Sequence, residues 1–137
     1  MTEPLDPALL APIEKVAQFI ETGDESLLSA FASQGVVIIE NFAPHLFEGE
    51  DAVKRWSQKI LSWHEPPSDL VLKHRFGPPQ DLRVDDHLAF VSLPTHWTIS
   101  EGGDIVEEDG GWAFVLVREN EEWRGRCYGW AVTFIEG

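Results

Sequence analysis

Apolar positions along this chain follow a mainly helical spacing up to Ser68 and an alternating one after it. Over residues 6–22 Leu9, Ile13, Val16 and Ile20 recur every three to four positions, which predicts a helix with Gly23 as its left-handed cap. Asp24 caps a second predicted helix, with Glu25 in its first turn and Leu27, Leu28 and Phe31 pointing inward until Gln34 and Gly35 break it. Residues 36–40, Val-Val-Ile-Ile-Glu, read as a short buried strand, and residues 41–45, Asn-Phe-Ala-Pro-His, as a loop, because a residue before proline is driven out of the helical region. A third helix follows Gly49. Its apolar stripe is Val53, Trp56, Ile60 and Trp63, its opposite face carries Lys54, Arg55, Gln58 and Lys59, and Pro66-Pro67 ends it.

After Ser68 the period is two. Leu70, Leu72, His74 and Phe76 alternate with Val71, Lys73 and Arg75, predicting a strand with one wetter face that Gly77-Pro78-Pro79 interrupts. A strand at 82–84, a turn at Asp85-Asp86, a strand at 88–99 and a hairpin loop at 101–104 come next. Gly110-Gly111 predicts a bulge, and residues 110–137 form a long terminal hairpin around Glu119-Asn120-Glu121-Glu122. Simple alternation puts Trp123 and Trp130 on opposite faces of its second strand. It also puts Arg126, Tyr128, Trp130, Val132 and Phe134 on one face and Gly125, Cys127, Gly129 and Ala131 on the other. Small residues under a helix and large ones at a dimer interface fit that split. Three helices followed by long antiparallel strands predict an α+β fold, with a bent sheet wrapped around the helices.

The 137 residues suit one domain, and six Trp with eight Phe supply ample apolar surface for its core. The net charge of -14 repels phosphate backbones and anionic headgroups, which argues against nucleic-acid and membrane-surface partners. Cys127 is the sole cysteine and has no intramolecular partner. The opening segment has neither a basic nor an apolar signal region, and no apolar run nears the roughly 18 residues needed to span a bilayer. A cytoplasmic location is expected.

A combination of features in fixed order carries a resemblance over essentially the whole chain. It comprises the paired N-terminal helices, Val-Ile-Ile-Glu-Asn-Phe-Ala-Pro-His, then Gly49-Glu-Asp-Ala-Val with Trp56, then Asp-Leu-Arg-Val-Asp-Asp-His-Leu-Ala-Phe-Val, and finally Glu-Glu-Trp-Arg. In these features the chain resembles the nuclear transport factor 2-like superfamily and, within it, the SnoaL-like group. The resemblance implies an α+β cone with a deep pocket and an outer sheet face that often forms a homodimer. Function varies across that superfamily, from isomerases, dehydratases and cyclases to binding modules without catalysis. Where ketosteroid isomerases place a general-base aspartate after the first strand, this chain has Glu40-Asn41-Phe42. Asn41 is no base, and Glu40 replaces it only if its side chain points inward. The isomerase tyrosine on the first helix is also missing, the sole tyrosine being Tyr128. The epoxide hydrolase pattern of an Arg and two Asp is unmatched in residues 88–99.

Candidate chemistry then falls to the histidines. His74 and His96 lie on neighbouring predicted strands, and two imidazoles in one pocket can serve as general acid and base, with scytalone dehydratase a distant precedent. The alternative is that each is a hydrogen-bonded wall residue. His45 beside Pro44 can guard a pocket mouth; His64 at a helix end and His87 in an acidic turn are surface residues. No ligand spacing for a metal ion and no phosphate loop is present, so no metal or cofactor is expected. Ser92 and Cys127 lack an accompanying base. Aromatic residues signal the pocket more strongly: Phe42, Trp56, Trp97, Trp112 and Phe114 are its predicted walls, and Trp130 joins them unless the dimer interface claims it. The expected function is binding of a small apolar or cyclic organic molecule. A lyase or isomerase using the histidine pair and a dimeric protein-interaction module are the alternatives.

Overall fold

A computed structural model describes residues 5–137; residues 1–4, at the start of the segment read for targeting signals, lie outside it. Helix α1 spans Pro7–Thr22, with the Asp6 carboxylate accepting from the Ala8 amide at its start and Gly23 at φ 73° closing it. The second predicted helix is instead a single stretch of 3-10 turns, Glu25–Ala30, capped by Asp24. It stops early because Phe31 bridges to Gly125 and the Ala32 amide donates to the Gly125 carbonyl, so the chain is captured by the sheet. Helix α2 spans Ala52–Trp63 and buries Trp56 and Ile60 completely.

The described residues form seven strands, in chain order β1 (Val37–Ile39), β2 (Leu46–Phe47), β3 (Val71–Phe76), β4 (Asp81–Val84), β5 (Leu88–Glu101), β6 (Asp104–Glu119) and β7 (Glu122–Glu136). They form one sheet in the order β2-β1-β7-β6-β5-β3, with β4 also pairing with β5. β1 runs parallel to β7, and the other pairs are antiparallel. The short β2 is absent from the sequence expectation; it forms because the 41–45 turn returns the chain on itself, with the His45 amide donating to the Phe42 carbonyl and the Glu40 amide to the His45 carbonyl.

One face of the sheet packs against α1 and α2. On β5 the residues Ala89, Val91, Leu93, Thr95 and Trp97 point to it, and on β6 Glu108, Gly110, Trp112, Phe114 and Leu116 do. Burial of these residues together with Ile13, Val16, Phe19 and Trp56 makes one continuous core. The α+β cone that the sequence implied is the observed architecture.

Two irregularities in the β6/β7 ladder decide what β7 presents to the core. Val115 pairs with Cys127 but Leu116 with Gly125, so Arg126 is an extra residue on β7. The extra residue inverts the alternation: Trp123 and Gly125 share the inner face with Tyr128 and Trp130 rather than opposing them. Tyr128 is 2% exposed and Trp130 9%. The large face of the last strand is therefore not a free surface at Tyr128 and Trp130, and the small residues Gly129 and Ala131 point outward instead. The second irregularity lies at Asp109/Gly110, where the glycines predicted it, with Thr133 as the extra residue. A Cβ at Gly110 would stand 2.5 Å from the Trp130 ring and from the Ala131 carbonyl oxygen, so only glycine lets the indole lie across this strand.

Candidate functional site

β1 points Ile38 into the core, and alternation carries Glu40, two residues later, to the same side. The side chain does point inward. Glu40 is 8% exposed, and its Oε2 accepts two hydrogen bonds, from Trp56 Nε1 at 3.1 Å and from the Tyr128 hydroxyl. The backbone amide of Asn41 also acts on this carboxylate as a donor. Burial pushes the Glu40 carboxyl up to about 7, against the lowering effect of these donors, and the nearby charge of Glu108 pushes in the same direction.

Glu40 stands in the wall of a cavity of about 240 Å³. Ile20 of α1 with Ile60 and Trp63 of α2 form one side, and Leu72, Trp97, Ile99, Glu108, Trp112 and Trp130 of the inner sheet face form the other. Asn41 and Phe42 close the end beside Glu40. Trp97, Trp112 and Trp130 make a continuous aromatic wall across β5, β6 and β7, with 6.0 Å between successive ring centroids. Phe42 meets Trp63 edge-on at 4.9 Å on the helical side. Glu108, opposite Trp97 in the ladder, accepts the Trp130 indole N–H on Oε1 at 3.2 Å, and its carboxyl is likewise raised, chiefly by burial.

Of the predicted walls, Phe42, Trp97 and Trp112 line the cavity. Trp56 and Phe114 lie behind it, fully buried, and Trp56 acts on it through its bond to Glu40. His45 is turned away from the cavity: its ring Nδ1 meets the Glu40 carbonyl at 3.0 Å, so it braces the turn that follows β1. Trp130, Trp63 and Glu108 are among the wall residues that sequence reasoning missed or set aside. Glu108 was within reach of it, since it falls on the same alternation as Trp112 and Phe114.

The structure does not bring His74 and His96 together. His74 pairs with Trp97 across β3 and β5, and His96, the residue before Trp97, pairs with Arg75, so the two imidazoles occupy opposite faces of the sheet. Each is also engaged elsewhere. His74 Nδ1 meets Glu21 at 2.8 Å and Nε2 meets Glu14 at 2.5 Å, tying β3 to α1. On the outer face His96 Nδ1 meets Asp109 at 2.7 Å and Nε2 meets Glu107, and these partners, Asp109 first, raise its pKa. Neither ring lines the cavity, so the paired acid and base expected from sequence is corrected to two separate clamps. His64 is also more than a surface residue, because its Nε2 meets the Ile20 carbonyl at 2.8 Å and joins α2 to α1.

This cone, with its cavity between helices and inner sheet face, is the architecture of the nuclear transport factor 2-like superfamily. The chain belongs to the SnoaL-like domain family, which matches residues 9–126. No curated protein matches it. Among solved structures it is similar to the Kfla4162 protein from Kribbella flavida, at 10% identity and a TM-score of 0.79, covering 95% of this chain and 91% of that one. A hexachlorocyclohexane dehydrochlorinase, LinA Type2, superposes with a TM-score of 0.76 at 9% identity over 94% of this chain and 85% of that one. A nuclear transport factor 2-like superfamily protein from Salmonella enterica gives 0.67 at 18% identity over 92% and 89%. Among the described residues no helix is long and apolar enough to cross a membrane.

Proposed function

We propose that this domain holds a small, largely apolar organic molecule in the cavity and that Glu40 exchanges a proton with it. The observation that carries the reading is Glu40 itself: a carboxyl in an aromatic wall, held by Trp56 and Tyr128 and raised to about 7 by burial. A group that titrates near neutrality populates both forms, so it can take a proton from carbon and return it. Trp56 and Tyr128 hold Oε2 and so fix the carboxylate in the cavity wall. Isomerisation and elimination both begin with such a transfer, and the similarity to a protein named as a dehydrochlorinase is consistent with this lyase or isomerase class. The outer sheet face is assigned to a second copy of the chain, since Ile39 and Phe134, exposed by 52% and 56%, stand there beside the small residues Gly129 and Ala131.

Incubating the protein in D2O with cyclic ketones, with and without amino substituents, tests the proton transfer by following exchange of the C–H next to the carbonyl. The expected result is exchange accelerated by wild type and lowered about 100-fold by Glu40→Gln, with quenching of Trp fluorescence by the same ketones retained. Exchange that survives Glu40→Gln would refute the role of Glu40. A panel that neither quenches nor exchanges would refute the cavity reading as well.

A further inference from the structure

Two carboxylates enter this cavity, and among the described residues lining it none is Lys, Arg or His. Glu40 has a structural share in its bonds to Trp56 and Tyr128, but Glu108 has one bond only, from Trp130, and among the described residues its Oε2 receives none. Glu108 is 8% exposed. A carboxylate buried to that degree ordinarily faces a cation, because desolvation otherwise disfavours its charge. Among the described residues none brings a cation to this wall. Trp97, Trp112 and Trp130 line the same wall, tilted or edge-on to one another, and the quadrupole of an indole attracts a cation that lies over its face. The chain as a whole carries a net charge of -14, which adds to the potential that draws cations in.

We infer that the molecule this cavity takes is an organic cation, an ammonium group borne on a ring or short hydrocarbon, with Glu108 as its counterion and the Trp97–Trp112–Trp130 wall around its apolar part. The inference rests on the cavity reading above and divides the two carboxylates by role. Glu108 holds the positive end, and Glu40, fixed by Trp56 and Tyr128, handles the proton. An ammonium group satisfies both halves of the wall at once: its N–H donors meet the open carboxylate oxygen, and its charge sits well over indole faces. A neutral ring of the same shape fills the space but leaves Glu108 without a partner.

Benzylamine, cationic at pH 8, and benzyl alcohol, its neutral near-isostere, are the probes, titrated at about 0.15 M salt to screen surface charge. Trp fluorescence and calorimetry report binding to wild type, Glu108→Gln and Glu40→Gln. The amide introduced by Glu108→Gln keeps a carbonyl for the Trp130 N–H, and circular dichroism checks the fold. The expected result is a preference of wild type for benzylammonium of about tenfold or more, collapsing to about threefold or less in Glu108→Gln while affinity for benzyl alcohol is unchanged. Equal binding of the two probes by wild type, or a preference that survives Glu108→Gln, would overturn the inference and leave the cavity reading standing. Binding of neither would overturn both.

Discussion

Burying Glu40 makes the fold itself sensitive to pH, and replacing one atom of that side chain should remove the sensitivity. The folded carboxyl titrates at about 7 rather than the ordinary 4.5 because it is desolvated. Below about pH 4.5 it is protonated in both folded and unfolded chains and costs nothing. As pH rises towards 7 the unfolded chain ionises while the folded one keeps its proton, so the folded state binds more protons and stability falls with pH. Beyond pH 7 the loss is complete, and the difference between the two pKa values corresponds to roughly 3 kcal/mol. Glu40→Gln keeps an oxygen to accept from Trp56 and Tyr128 and has no charge to lose. Urea unfolding of both proteins at intervals from pH 5 to 8.5 measures the effect, and their difference cancels the titrating groups that do not interact with Glu40. The variant should match wild type near pH 5 and exceed it by roughly 3 kcal/mol at pH 8.5, or by about 10 °C in Tm. A difference that is constant across the range would refute the reasoning, since it would show that Glu40 ionises as readily inside the protein as outside.

The two histidine clamps and the outer face make further predictions. His74→Gln should lower stability by about 1–3 kcal/mol in chemical denaturation, because Glu14 and Glu21 lose the ring that ties α1 to β3, while His96→Gln on the outer face should leave benzylammonium affinity within about twofold of wild type. Light scattering at micromolar concentration should give the mass of a dimer, and Phe134→Glu should shift it to that of a monomer if the outer face is the contact. A wild-type monomer at that concentration, undiluted, would remove the dimer.

Much of the fold was legible because apolar periodicity is a local signal. The stripe at Leu9, Ile13, Val16 and Ile20 is α1, Gly23 caps it in the left-handed conformation, and Leu72, His74 and Phe76 share the inner face of β3. The site was less legible because cavity walls depend on register, which is a property of paired strands. One step of register separates Trp97 from His96, and that step puts one ring inside the cone and the other outside. Glu40 shows the same dependence. The sequence left its direction open at the end of a short buried strand; the parallel pairing of β1 with β7 decides it, by holding it under Tyr128. Alternation alone also misassigned Trp130, since nothing in the run Gly125-Arg126-Cys127 announces an extra residue.

That extra residue at Arg126 makes the identity of the cavity a matter of chain length. The side chains that follow it, Tyr128 and Trp130 included, owe their direction to a single inserted peptide unit. Drift by substitution along β7 can change the size or polarity of one wall position at a time, whereas loss of one residue there would evert the whole row, taking the hydroxyl that steadies Glu40 and the Trp130 indole that holds Glu108 and closes one end of the aromatic wall out of the cone together. In lineages descended from this chain, the spacing between Gly125 and Trp130 should therefore be kept more strictly than the amino acids that occupy it.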